Sequence, residues 1–345
     1  MNRASDMDQA WSWVREALLA LGLIVILLGA MVVMTGSTPP MVVVESGSMM
    51  HDSDGGVGFI DPGDIILVMS LERQTIITWA EATEEGGLNE GYRNHGMPGD
   101  VIIYRKNGGN DTPIIHRALL RAVANSTEPA AVPGECSSGV WDPTLEGPGY
   151  SGLCVITFDV PGTVIVNSSS ISIDLDYPCH PHGTLSIRDW KPKHTGLLTT
   201  GDNAQTNGCQ IDQMRAVRGS DSPHVGGSWG LIDENGQPVQ AVRSDWVEGV
   251  AGPELPWFGA VKLAASANAG AVTQKSWNAI FMTIAAFIAI PVVIDLGINR
   301  MLRSAPELKE LSGVISAKSG TEENASDQSG ESDSADLVDS TGSEE

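Results

Sequence analysis

From Ala17 to Thr35 the chain runs nineteen residues without a charge, almost all of them Ala, Leu, Ile, Val, Gly or Met. Wound as a helix rising about 1.5 Å per residue, such a run matches the hydrocarbon core of a bilayer. A cleaved leader would carry a shorter apolar core, about 7–15 residues, before a small-x-small site. Here the run is longer, and Thr35-Gly36-Ser37 matches such a site poorly. It therefore reads as a retained span over 16–36, after a short polar N-terminus, 1–15. A second run, Trp277 to Leu296, has no charge before Asp295 and predicts another span over 276–298. Trp277 suits an interfacial belt, and Pro291 is a place for a kink that neighbouring helices would tolerate. Arg15 precedes the first run, and Arg300, Arg303 and Lys309 follow the second; no Lys or Arg falls between the first run and Arg73. That bias predicts cytoplasmic termini, with 37–275 outside a membrane that the chain crosses twice.

Between the spans, short apolar runs alternate with turn signals. Gly58-Phe59-Ile60, Ile65 to Val68, Val101 to Tyr104, Leu153 to Ile156 and Gly162 to Val166 read as strands. Asp61-Pro62-Gly63-Asp64, Met97-Pro98-Gly99-Asp100, Asn107 to Asn110 and Val160-Pro161-Gly162 read as the turns between them. The expected fold class is mostly β, with one extracytoplasmic β domain. Residues 70–95 are polar and 121–195 rich in Pro, Gly and Ser, so both read as insertions outside the core. Residues 299–345 carry Ser, Glu and Asp with few large apolar side chains, and predict a disordered acidic cytoplasmic tail. From Pro306 on, eleven acidic residues face two lysines, which accounts for −9 of the net −23. A chain so acidic lacks the basic footprint of a nucleic-acid binder.

All four cysteines, Cys136, Cys154, Cys179 and Cys209, fall in the outside segment. An even number there predicts two disulfides. Three pairings are possible, and proximity favours Cys136–Cys154 with Cys179–Cys209. A metal site at Cys179, His180 and His182 is the alternative, but that spacing matches no zinc pattern. No metal or organic cofactor is expected.

Ser48 lies twelve residues beyond Gly36, within about 40 Å of chain from the first span. A serine nucleophile needs a base and donors for an oxyanion. Among seven histidines, His116 stands out, beside the apolar Ile114-Ile115. An apolar run ends in Thr200-Gly201-Asp202-Asn203, with Asp212 ten residues after Asp202. Each signal alone is ordinary: a Gly/Ser turn, a strand histidine, a Gly-Asp turn.

Their order is specific. Ser46-Gly47-Ser48-Met49 after an anchor, then Gly99-Asp100-Val101-Ile102-Ile103-Tyr104, then Ile114-Ile115-His116-Arg117, then Thr200-Gly201-Asp202-Asn203 with Asp212-Gln213, resembles type I signal peptidase. The archaeal and endoplasmic-reticulum branch, with a histidine where bacterial enzymes have a lysine base, is the closer match. Asp245 to Pro253 and Trp257 to Val261 resemble that family's closing strand pair. The likeness covers about 40–68, 96–120, 196–213 and 243–263.

The resemblance implies a signal-peptidase-like β catalytic domain and a membrane-bound serine endopeptidase that cleaves signal peptides from exported preproteins. Ser48 would be the nucleophile, His116 its general base, and Asp212 the group that orients His116. Asp202 would be a second required carboxylate, and the fallback for that orienting place. Ser46, with the Ser48 N–H, would donate to the oxyanion. Partners would be signal-peptide-bearing preproteins, the membrane and the secretion translocon. Two departures stand out: His51 occupies the place of a usual proline, and the two aspartates lie ten residues apart rather than about six. Two other readings of the same residues are a peptidase for a narrower set of surface-protein precursors and a non-enzymatic, membrane-anchored β binding domain.

Overall fold

The computed structural model describes residues 3–51, 54–147, 150–179, 183–206, 209–213 and 230–304. The expected acidic tail lies almost wholly outside them. The first helix, α1 (Arg3–Thr35), starts well before the apolar run, so the polar N-terminal stretch is helical from Arg3. It stops where Gly36 takes φ +70°, a left-handed C-terminal residue. The Thr35 carbonyl then accepts from Ser70 N at 3.0 Å, which ties the helix end to the β domain. Most side chains over Trp13–Thr35 are left uncovered by the chain, Thr35 at the β-domain end being buried, and the segment is long and apolar enough to cross a membrane.

Next come β1 (Met41–Val43), β2 (Ile65–Met69), α2 (Trp79–Thr83), β3 (Arg93–Asn94), β4 (Met97–Pro98), β5 (Val101–Tyr104) and β6 (Ile114–Glu128). These are followed by β7 (Val140–Gly147), β8 (Tyr150–Asp159), β9 (Ile171–Asp176), β10 (Thr184–Trp190), β11 (Gly196–Thr200), β12 (Val247–Leu255) and α3 (Ala260–Ala265). The main sheet runs β1-β2-β12-β5-β6-β8-β7, with β11 also paired to β6. Every pairing in it is antiparallel. β9 and β10 form a separate two-stranded sheet, as do β3 and β4.

The apolar runs at 65–68, 101–104 and 153–156 all lie in strands, as expected. Gly58–Ile60 does not. Gly58 has φ +95° and its N–H goes to Glu254 Oε1 at 2.5 Å rather than into a ladder. Ile60 is buried all the same, as a loop residue plugged into the core. Gly162–Val166 closes on itself: Val160 N donates to Ile165 O at 3.0 Å, and Thr163 Oγ1 to Val160 O at 2.7 Å.

The segments expected as insertions supply core. Within 70–95, Thr78 and Glu81 form a capping box that starts α2 and buries Trp79 against Tyr177, ring centroids 4.6 Å apart. Within 121–195, Val155, Phe158, Leu185 and Ile187 join Leu119 and Leu120 in the largest buried cluster. Truncating Phe158 to Ala would cost about 3–5 kcal/mol. Both disulfides favoured by proximity form, Cys136–Cys154 and Cys179–Cys209, with Cα atoms 5.7 and 5.8 Å apart. Cys179 is thereby taken out of any metal site; His180 and His182 lie outside the described residues.

Among the described residues, those up to Ile280 belong to one compact unit and those from Phe281 to a second. The last helix, α4 (Gln274–Ser304), continues through Pro291 and is apolar and long enough over Gln274–Met301 to cross a membrane.

Candidate active site

Ser48 sits in a tight turn between β1 and β2. Met50 N donates to Gly47 O at 3.2 Å and closes it. Met49 is buried among Val44, Ile60, Ile66 and Val101, so the residue after the serine pins the turn to the core. Asn203 holds it from the other side: its Nδ2 donates to Gly47 O at 2.6 Å and its backbone N to Ser48 O at 3.0 Å. Space is tight there, since a Cβ on Gly47 would lie 2.8 Å from Met50 Sδ. Ser48 itself is half-buried, and exposed Ser46 places its Oγ 3.4 Å from Ser48 Oγ.

His116 and Arg117 are neighbours on β6, and successive strand residues point to opposite faces. His116 is buried and its Nδ1 lies 2.6 Å from Asp212 Oδ2. The same carboxylate oxygen accepts from Thr199 Oγ1 at 2.7 Å and from Tyr104 OH at 3.1 Å. Gln213 steadies Thr199, with Nε2 donating to its Oγ1 and Oε1 accepting from its N, both at 2.9 Å. Burial, and then the Asp212 charge, push the Tyr104 hydroxyl well above its ordinary range, so it stays a proton donor. With the proton of His116 on Nδ1, facing Asp212, its Nε2 is left as the basic atom.

Arg117 turns the other way and is fully buried with Asp202. Arg117 Nη2 donates to Asp202 Oδ2 at 2.5 Å and Nε to both carboxylate oxygens at 3.0 Å, while Nη1 donates to Gly99 O at 2.6 Å. Tyr177 OH donates to Asp202 Oδ1 at 2.6 Å, and His51 Nε2 lies 3.0 Å from Oδ2. Burial alone would raise the Asp202 pKa. The Arg117 charge and the hydrogen bonds from His51, Arg117 and Tyr177 together outweigh it and hold the carboxyl well below its usual range. Burial likewise works against the Arg117 charge, but Asp202 keeps its pKa above the ordinary value.

The structure thus separates the two aspartates: Asp212 is the partner of His116, and Asp202 that of Arg117. His51 is engaged with Asp202 and packs at a tilt of 39° against Phe59, ring centroids 4.5 Å apart.

Ser46, Ser48 and His116 line one cleft of about 780 Å³. Its walls are β1 with the turn on one side and residues 111–115 on the other. Among the described residues no hydrogen bond joins Ser48 to His116; both line the same cleft. Lys106 and Lys262, the other basic side chains lining it, are ion-paired with Asp111 and Glu45 at 2.6 and 2.8 Å. Among the described residues, no cluster of His, Cys, Asp and Glu is arranged to hold a metal.

Tyr104, Thr199, Gln213, Arg117 and Asn203 complete these networks, and sequence reasoning did not select them. One signal was available: β11 is buried at every residue yet contains Thr199 and Thr200, and buried hydroxyls need partners. No family model, curated protein or solved structure matches this chain.

Proposed function

We propose that this protein is a membrane-anchored serine endopeptidase that removes signal peptides from exported preproteins, with cytoplasmic termini and the β domain outside. The observation that carries the reading is the His116–Asp212 pair, buried beside the cleft that also holds Ser48. Its support from sequence is the ordered set of motifs that resembles the archaeal and endoplasmic-reticulum signal peptidases.

β1 is an edge strand. Val44 N and O are used by Asp64 and Gly63, so alternation turns the backbone groups of Met41 and Val43 towards the open side. An extended peptide adding there would gain main-chain hydrogen bonds and present alternate side chains to the cleft. With a scissile carbonyl over Ser48, His116 Nε2 takes the Oγ proton as Oγ attacks carbon. Ser46 Oγ and the Ser48 N–H donate to the oxyanion. Collapse breaks the C–N bond, and the imidazolium returns its proton to the leaving amine. Water, deprotonated by His116, then hydrolyses the acyl-enzyme and frees Ser48. Asp212 holds the imidazole and balances its charge while it is protonated.

Cleavage of a preprotein by the detergent-solubilised protein, with the product N-terminus sequenced, tests the reading. Ser48→Ala and His116→Ala should each lower turnover by about 10³–10⁶-fold with the fold retained. Wild-type-like cleavage by either variant would overturn the assignment, and cleavage elsewhere than after a small-x-small site would overturn the substrate class.

A further inference from the structure

Four Asn-x-Ser/Thr triplets lie in the chain: Asn110-Asp111-Thr112, Asn125-Ser126-Thr127, Asn167-Ser168-Ser169 and Asn324-Ala325-Ser326. An N-glycosyl transferase reads such a triplet where it is presented on a surface outside the cytoplasm. The first three fall in the β domain. The fourth falls in the acidic tail, outside the described residues.

The three in the β domain differ in what holds them. Asn110 is exposed, but Asp111 beside it is tied to Lys106 at 2.6 Å, and Thr112 precedes Pro113, whose ring restricts the residue before it. Asn125 lies on β6, where its Nδ2 donates to Asp159 Oδ2 at 2.6 Å and Thr127 pairs with Val155 of β8. A sugar added there would have to enter between the amide and that carboxylate. Asn167 stands in the turn between β8 and β9, with φ +53°. Its Oδ1 accepts from Thr157 Oγ1 and its backbone N donates to Asp159 Oδ1, both at 2.7 Å. The carboxamide is thus held by its oxygen. Among the described residues, Asn167 Nδ2 and Ser169 Oγ make no hydrogen bond, and both residues are exposed. Val164 and Val166 are 98% and 65% exposed on the same turn. Together they make a small apolar spot, and a sugar chain rooted at the next residue would shield it from other molecules.

We propose that Asn167 carries an N-linked oligosaccharide. The donor is a sugar chain held on a polyprenyl pyrophosphate. Asn167 Nδ2 attacks the anomeric carbon, and the C–N bond forms as the C–O bond to phosphate breaks. The pyrophosphate leaves with the bonding pair, and the amide gives up one proton to a base of the transferase. The inference rests on the outside placement of the β domain and is independent of the serine chemistry.

The full-length protein, isolated from the membranes of its own cells, tests this by mass measurement of its peptides before and after enzymatic release of N-linked sugars. The peptide containing Asn167 should carry one sugar chain, and those containing Asn110, Asn125 and Asn324 none. Ser169→Ala should lose the modification and Ser169→Thr keep it, since the hydroxyl is what is read. The side chain is exposed, so both variants should fold normally. A bare Asn167, or a sugar chain that persists in Ser169→Ala, overturns the proposal. Protease added to intact cells tells two failures apart. If Asn167 is bare and the β domain is digested from outside, the proposal falls alone. If the domain resists until the membrane is permeabilised, or if Asn324 carries the sugar, the outside placement falls with it.

Discussion

Replacing Asp212 by Asn changes one atom and separates the two aspartates by function. The amide oxygen still accepts from Tyr104 OH and Thr199 Oγ1, so the buried network keeps its donors' partners. What disappears is the charge beside His116. Taking about 4 Å between the charge centres and an effective dielectric near 20, the lost attraction for an imidazolium is about 4 kcal/mol. That is about a thousandfold in rate if the imidazolium forms in the transition state. Stability should change by no more than about 1 kcal/mol. Asp202→Asn should behave in the opposite way. It strips the counter-charge from fully buried Arg117, at a cost of about 3–5 kcal/mol. Its melting temperature should fall by about 10 °C, while turnover per folded molecule stays within about tenfold of wild type. The assay is kcat on a preprotein, normalised to folded protein, alongside thermal unfolding. If Asp202→Asn loses turnover a thousandfold with its melting point intact while Asp212→Asn keeps wild-type turnover, the assignment of roles is wrong.

Tyr104→Phe removes one of three donors to Asp212 and should lower kcat by about ten- to a hundredfold, since a hydrogen bond to a charged group contributes about 1.5–3 kcal/mol; steady-state kinetics would read it, and a loss beyond about a thousandfold would mean that the hydroxyl acts in the chemistry. Breaking Cys179–Cys209 by a paired Cys→Ala change releases a loop of thirty residues that ends three residues before Asp212. Chain entropy puts the loss at about 3–4 kcal/mol, visible as a lower unfolding midpoint and matched by reductant treatment of the wild type. Burial, against hydrogen bonds from Trp257 and Asp61, pushes Asp64 up to about 6. The folded state then holds a proton that the unfolded chain releases near 3.8, so stability should fall as pH rises from about 4 to about 6. Asp64→Asn should flatten that slope; equal slopes in wild type and variant would refute it.

The parts of this fold legible in the sequence are those fixed by local chemistry. Ile65–Met69 and Val101–Tyr104 are continuous apolar runs, each entered from a Pro-Gly-Asp turn, and both became central strands. β9 was missed for the opposite reason. Only Ile171 and Leu175 of its six residues are buried, and the polar residues between them gave the segment the look of a loop. In the candidate site, Ser48 and His116 could be chosen because their motifs, each ordinary alone, stand in a specific order along the chain. Their supports could not. Arg117 meets Asp202 across 85 residues and His116 meets Asp212 across 96, and nothing in the spacing of the aspartates says which partner each one has. An arginine beside an apolar strand reads as a surface residue until its carbonyl cage on 94–99 is seen.

The adjacency of His116 and Arg117 also bears on how this chain can drift over generations. The two side chains serve opposite faces of β6, one towards Asp212 and one towards Asp202. A single inserted or deleted residue near them would exchange the faces, carrying a guanidinium to the serine's side and an imidazole into the cage. The register Val101↔Arg117 and Ile102↔His116 is therefore a frame that tolerates substitution but not slippage. The stretch of β6 from Arg117 to Ala122, paired with Thr200 to Gly196 of β11, cannot change length without breaking that frame. Descendants of this sequence should show substitutions but almost no length variation between His116 and Ala122.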